Sequence, residues 1–469
     1  MKKNFLTAAA FSVAAFFAAS TIAQAADVTF SGAFKTRYEV NEQSDFNDST
    51  GADDFIQSRV RLNANVNVND STSAYIQLQS VRTWGNSAGG ADLVNAGGSG
   101  NASLTPSDGD ASVGIHQAYF TLKNFATLPV DLKLGRQEVI LDGHRLFGNT
   151  LWTIGAQTHD AIRLTHAHDN MLLTYAYIAG QEESRTDDAD DYDDVDVHLA
   201  YFQYQGILGG NFSTTYAFIQ DGCGSALATT VCSNFANDVH SIGFRQAGQL
   251  YGIDYRGEFN YQWGDARGTA ANINTKSGTT VFTAGADVDR EAYMFGVRLG
   301  KSFKNVTLQP KLTLWYDYLS GTSEEDGRNN KVGSFNTLFD TGHKFYGLMD
   351  NYLAIGNGGG TDGLGLQDAA IKAQISPMPG WTLKADYHWF YTAEGYAATA
   401  NGIGDSDSDL GTELDITLVN KYNANTRFVL GYSNYATSEA FREIKGQGGD
   451  SADWAYVMEI GRASCRERV

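Results

Sequence analysis

The 469-residue chain carries 54 Asp and Glu against 34 Lys and Arg, a net charge of −20, with 51 Gly, 5 Pro, 3 Cys and 12% aromatic residues. So acidic a balance weighs against nucleic-acid binding, which needs a basic footprint to neutralise phosphates. A hydrophobic share of 42% at mean hydropathy −0.30 is too high for disorder and too low for a helical membrane protein.

The first segment sets the compartment. Residues 1–25 read as a secretory signal: Lys2 and Lys3 give the charged start, Phe5 to Ala19 an apolar core, and Ala23-Gln24-Ala25 a small-x-small cleavage site. That core is short for a span of ~20 residues. Beyond Ala25 no stretch approaches ~18 consecutive apolar residues. Period-2 alternation recurs instead. Val60, Leu62, Ala64, Val66 and Val68 share one face opposite Arg59 and Arg61. Ile253, Tyr255, Phe259 and Tyr261 likewise oppose Asp254, Arg256, Glu258, Asn260 and Gln262.

On this pattern strands are expected over 27–40, 55–68, 73–84, 113–123, 130–140, 158–166, 171–181, 195–204 and 211–220. The second half continues with 239–246, 250–263, 290–300, 305–318, 367–376, 381–392, 411–420, 426–436 and 453–458. Their connections alternate between short turns, such as 69–71, 168–170, 377–380 and 423–425, and long loops, such as 86–112, 182–194, 264–289 and 320–365. That is the layout of an all-β, transmembrane antiparallel barrel with short periplasmic turns and long extracellular loops. Trp84, Tyr261, Trp263, Trp315, Tyr316, Tyr318, Trp389 and Tyr391 lie near strand ends, as interfacial girdles require. About eighteen strands leave an aqueous lumen, so passage through it is the default function. There is no His-Glu-x-x-His pair, so no enzyme is expected.

If apolar residues face lipid, the other parity faces the channel. The expected lumen cations are Lys35, Arg37, Arg59, Arg61, Arg163, Arg245, Arg256, Arg298, Lys311, Lys372 and Lys384. The expected lumen acids are Asp254, Glu258, Asp317, Asp368, Asp386, Glu413 and Asp415. Cations lining a pore favour anions; cross-strand pairs that neutralise one another are the competing reading. Arg136 shares its parity with Leu132 and Leu134. Either a bulge at Gly135 turns it inward or it lies above the membrane.

In the long loops, Asp187, Asp188, Asp190 and Asp191 offer carboxylates for calcium that bridges neighbouring lipopolysaccharide, or form a solvated acidic loop. Cys223 and Cys232 close a short exported loop and are expected to form a disulfide. No other cofactor is expected. The barrel is expected over 26–458, its last strand truncated. Residues 459–469 are basic, lose the alternation and read as a non-native adapter-derived tail, a genuine basic tail being the alternative.

Three clusters carry a family resemblance: Leu134-Gly135-Arg136-Gln137-Glu138, Gly143-His144-Arg145-Leu146 and His159-Asp160-Ala161-Ile162-Arg163-Leu164. Together with Phe335-Asn336-Thr337-Leu338-Phe339-Asp340-Thr341-Gly342-His343-Lys344 and Gly411-Thr412-Glu413-Leu414-Asp415, the chain resembles the alginate-export family of outer-membrane barrels. The resemblance implies an eighteen-stranded barrel in a Gram-negative outer membrane, conducting an anionic poly- or oligosaccharide outwards. It also implies that Arg136, Arg145 and Arg163 belong to an electropositive constriction; parity adds Arg59. Outer-membrane lipid, lipopolysaccharide and a periplasmic scaffold protein are the further expected partners. A general porin taking up small anions or nutrients, and a non-conducting surface barrel plugged by a loop, are the alternatives.

Overall fold

The computed structural model describes residues 27–42, 46, 51–84, 113–181, 195–221, 238–266, 273–275, 278–280, 288–353, 360–397, 406–445 and 448–468. The signal segment, the acidic run with Asp187, Asp188, Asp190 and Asp191, and the Cys223–Cys232 loop lie outside these residues.

Eighteen antiparallel strands form one closed barrel. They are β1 Asp27–Glu42, β2 Asp53–Asn67, β3 Thr72–Thr83, β4 Gly114–Leu122, β5 Asp131–Gln137 and β6 His159–His168. Next come β7 Met171–Gln181, β8 Val195–Ile207, β9 Gly210–Asp221, β10 Val239–Leu250, β11 Ile253–Asp265 and β12 Asp289–Ser302. The last six are β13 Lys311–Leu319, β14 Leu366–Ile375, β15 Trp381–Ala397, β16 Ser406–Asn420, β17 Thr426–Thr437 and β18 Ser451–Arg468.

Each strand pairs with its neighbour in sequence, and β18 pairs back onto β1 from Glu42↔Asp453 to Asp27↔Arg468. Closure is required because an open edge in hydrocarbon leaves its N–H and C=O groups unsatisfied. For the same reason the expected break after Met458 is not seen. The backbone of 459–468 continues β18 and satisfies the lower half of β1, whatever the side-chain pattern. The strand expected over 305–318 begins only at Lys311. Phe303 N–H donates to Pro310 O, and Leu308 and Gln309 take left-handed backbone, so 303–310 is a periplasmic turn. Other short turns are closed by Asx bonds: Asn69 Oδ1 accepts from Ser71 N–H at 2.9 Å, and Asn423 Oδ1 from Asn425 N–H at 2.8 Å.

The outer face is apolar as expected: Phe30, Phe34, Val60, Leu62, Leu173, Phe244, Val297 and Leu314 are all exposed in the isolated barrel. The inner face corrects the simple parity rule. In the loop-side half of β7–β10 the inner face is itself apolar, with Ala176, Ile178, Val197, Leu199, Ala217, Ile219 and Val239 buried inside. They pack with Val139, Leu146, Phe147, Phe335 and Phe345, which belong to long loops folded into the barrel. Trp315 is also corrected: it faces the lumen, 3.1 Å from the Arg298 guanidinium carbon and 4.5 Å from Lys372 Nζ, and is no girdle residue.

At Gly135 the chain takes φ +122°, and a Cβ there would lie 2.3 Å from Ala118 O. Gly135→Ala is therefore expected to cost about 1–3 kcal/mol of barrel stability. The urea midpoint of unfolding from lipid vesicles measures this, and an unchanged midpoint contradicts it.

Candidate functional site

Two loops from the long-loop side build a constriction. The first, 138–158, links β5 to β6 and is rich in apolar residues for a loop: Leu141, Leu146, Phe147, Leu151 and Trp152. The buried Val139, Leu146 and Phe147 pull it inward, and its backbone is then pinned to two opposite walls. On the β1–β3 wall Lys35 Nζ donates to Leu151 O at 3.1 Å and Trp152 O at 3.0 Å. Arg37 donates to Trp152 O at 2.7 Å, Arg59 to Ile154 O at 3.1 Å and Gln79 to Gly155 O at 2.8 Å.

On the β11–β13 wall the same loop sends out Arg145. Its guanidinium meets Asp317 Oδ2 at 2.6 Å, Glu258 Oε2 at 3.3 Å and Tyr346 Oη at 2.7 Å, and lies 3.8 Å from the Phe345 ring centre. Burial opposes its charge, but Asp317, Tyr346 and Glu258 more than offset this and hold Arg145 firmly protonated. Three wall arginines share these acids: Arg256 with Glu258 at 2.8 Å, Arg298 with Asp317 at 3.4 Å and Arg245 with Glu258 at 3.6 Å. Arg245 also reaches Asp142 at 3.4 Å, which accepts from Tyr201 and Ser213.

The second loop, 320–365, starts with a short helix, α1 Glu324–Arg328, capped by Ser323. It is sewn to the first. Gly148 N–H donates to Phe339 O at 2.8 Å, Phe339 N–H to Leu146 O at 2.9 Å and Thr341 N–H to His144 O at 3.1 Å. A Cβ at Gly148 would sit 2.1 Å from Thr341 Oγ1, so only glycine permits this seam. Trp152 stacks on His343 with centres 4.0 Å apart and planes 6° from parallel. The wall holds this loop too: Glu413 accepts from Leu348 N–H at 2.6 Å and Met349 N–H at 2.9 Å, and Gln262 exchanges bonds with Asn336. Burial raises Asp340 to about 7, and burial with Arg256 holds Lys344 below the usual ammonium range. A third inward piece, α2 Glu439–Lys445, packs Phe441 against Phe46, Tyr352 and Tyr435.

Lys35, Arg37, Arg59, Arg61, Arg163, Arg245, Arg256, Arg298 and Lys372 all lie on the inner parity. Arg61 bonds Gln79 at 2.7 Å and lies 3.6 Å from Glu138, while Lys372 pairs with Asp386 at 3.1 Å. Arg136 does not face the lumen. It sits at the loop-side end of β5 on the outer face, 42% exposed, in a bidentate pair with Asp160 at 2.9 and 2.6 Å. The register across Gly135 is unbroken, so no bulge turns Arg136 inward. Arg163 does face inward. Together with its cross-strand neighbour Lys133 it has no carboxylate partner among the described residues, and Lys133 lies 3.9 Å from the Tyr119 ring centre.

Sequence parity missed Glu39, Lys133 and Arg290, which follow the period of their strands, and it missed every loop residue. The signal for the loops is their apolar content, which a solvated loop does not carry.

Beneath the loops, in the short-turn half of β10–β13, lies a cavity of about 540 Å³. Arg245, Arg256, Arg298, Lys311 and Lys344 line it against a single carboxylate, Asp254. A second cavity, about 860 Å³, opens between turns 303–310, 376–380 and 421–425, with Lys421, Arg427 and Arg462 and no acidic residue on its walls.

A model of the alginate export family matches residues 26–453. The chain belongs to the alginate export family. Among solved structures it is similar to Acinetobacter baumannii OccAB4, with a TM-score of 0.57 at 12% identity over 94% of this chain and 99% of that one. Acinetobacter baumannii OccAB3 gives 0.55 at 10% over 93% and 99%, and Pseudomonas aeruginosa OccK11 (OpdR) 0.51 at 12% over 93% and 96%. Identities this low establish a shared fold. No curated protein matches the sequence. This alginate-export-family member is thus a Gram-negative outer-membrane barrel of the channel type, and its family and fold are not those of an enzyme class.

Proposed function

We propose that the channel conducts an anionic poly- or oligosaccharide outwards through a cation-lined lumen. The observation that carries this reading is the cavity in the short-turn half of β10–β13, where five cations face one carboxylate. A polyanion arriving from the periplasm meets Lys311 first, then Arg256 and Arg298, then Arg245 and Lys344. Glu258 and Asp317 stand behind these arginines and fix their orientation. They also partly offset the charge, so each carboxylate is held weakly enough to be handed on. On the facing wall Arg163 and Lys133 offer uncompensated charge. Passage is passive.

In planar bilayers, polyuronate added on the short-turn side is expected to block ion current, while a neutral glucan of equal length leaves it intact. Cation selectivity would sink the proposal. Arg163→Glu is expected to lower anion preference, and an unchanged reversal potential in a salt gradient would remove Arg163 from the site. The second reading, uptake of small anions, is favoured by the volume that loops 138–158 and 320–365 take from the bore. Passage of monouronate with exclusion of longer oligomers would select it.

A further inference from the structure

Counted by charge, Lys35, Arg37 and Arg59 belong with the cations that a passing anion meets. Their hydrogen bonds point elsewhere. All three donate to main-chain carbonyls of one short stretch, Leu151, Trp152 and Ile154, at 2.7–3.1 Å, and Gln79 takes the next carbonyl, Gly155. Arg37 also lies 4.0 Å from the Trp152 ring centre, and its Nε is closed by Glu39 at 2.6 Å. Lys35 and Arg37 are 5% and 4% exposed. A carbonyl carries no net charge, so these bonds neutralise nothing; they fix where the loop lies. Trp152, held this way, is stacked on His343 and set edge-on to Trp454 and Tyr456 of β18. Arg145 anchors the other end of the same loop on the opposite wall.

We propose that Lys35, Arg37 and Arg59 are positioning residues that set the bore by pinning 151–155 to the β1–β3 wall. Anion preference then falls to Arg163, Lys133 and the cations of the β10–β13 cavity. The inference rests on the channel alone and not on the identity of the substrate, and its test uses salt without saccharide.

Two variants of the full-length barrel are compared with the parent in planar bilayers under a potassium chloride gradient. The Lys35→Met/Arg59→Met variant removes pins. Deletion of 151–155 keeps every pin and removes what they hold. Both are expected to raise single-channel conductance roughly twofold, with flicker in the open state. The deletion is also expected to strengthen anion preference, because freed cations then face the bore. Parent-like conductance and quiet current in the double variant, with a loss of anion preference, would overturn the proposal. If the double variant does not fold, as read by heat-modifiable migration, the deletion decides alone: unchanged conductance and selectivity reject the pinning role.

Discussion

Replacing Arg145 with methionine is expected to release the constriction while leaving the barrel closed. The side chain is 5% exposed and lies against Asp317 and Glu258, themselves 0% and 7% exposed. Removing one partner of such a cluster strands the others in a poorly solvated site and costs about 3–5 kcal/mol. Arg298 and Arg256 remain beside the two acids and recover part of this. The strand ladder of β11–β13 does not involve Arg145, so the loss falls on the seated loop. The expected result is a larger, noisier single-channel conductance with heat-modifiable migration retained. Quiet current at the parent's conductance would show that the loop is held without this cluster.

Phe147→Ala tests the seam between the loops instead of the wall. Phe147 is fully buried, pairs with Phe339 in an isolated parallel bridge and lies 5.4 Å from its ring centre. Truncating a buried phenylalanine costs about 3–5 kcal/mol in lost transfer energy and residual cavity. Here the cost is again confined to the loops, so protease cleavage within 138–158 or 320–365 is expected to accelerate at an unchanged barrel unfolding midpoint. If the midpoint falls instead, the loops and the barrel form one cooperative unit. Arg145→Met combined with Phe147→Ala is expected to cost less than the sum, since either change unseats the same segment.

The strands were legible because lipid outside and water or polar packing inside impose period 2, and 53–67 or 253–265 obey it closely. Where the interior is dry that signal fades. Ile178 and Tyr177 are both apolar on adjacent positions of β7, and alternation alone does not say which faces in. Trp315 was misplaced because a tryptophan near a strand end fits a girdle equally well as a ring between Arg298 and Lys372. Arg136 belonged to a motif whose other arginines, Arg145 and Arg163, do reach the interior; its own parity with Leu134 was the better guide. The constriction itself was only partly legible. Its wall charges follow from the strand period, but the partners of Lys35, Arg37 and Arg59 on the β1–β3 wall are backbone carbonyls of a loop, which leave no mark in composition.

The pins that narrow the channel join distant parts of the chain. Arg145 meets residues 113, 172 and 201 positions away, and Lys35 and Arg37 meet carbonyls 115 to 117 positions away. The walls that these contacts tie together reach their final separation in the cylinder that β18 closes onto β1. Contacts of such long range are slow to form, so closure of the cylinder is expected to precede seating of its loops. A barrel closed before its loops settle would leave Phe147, Phe335 and Phe345 without apolar cover, and its pore would be wider than the finished one.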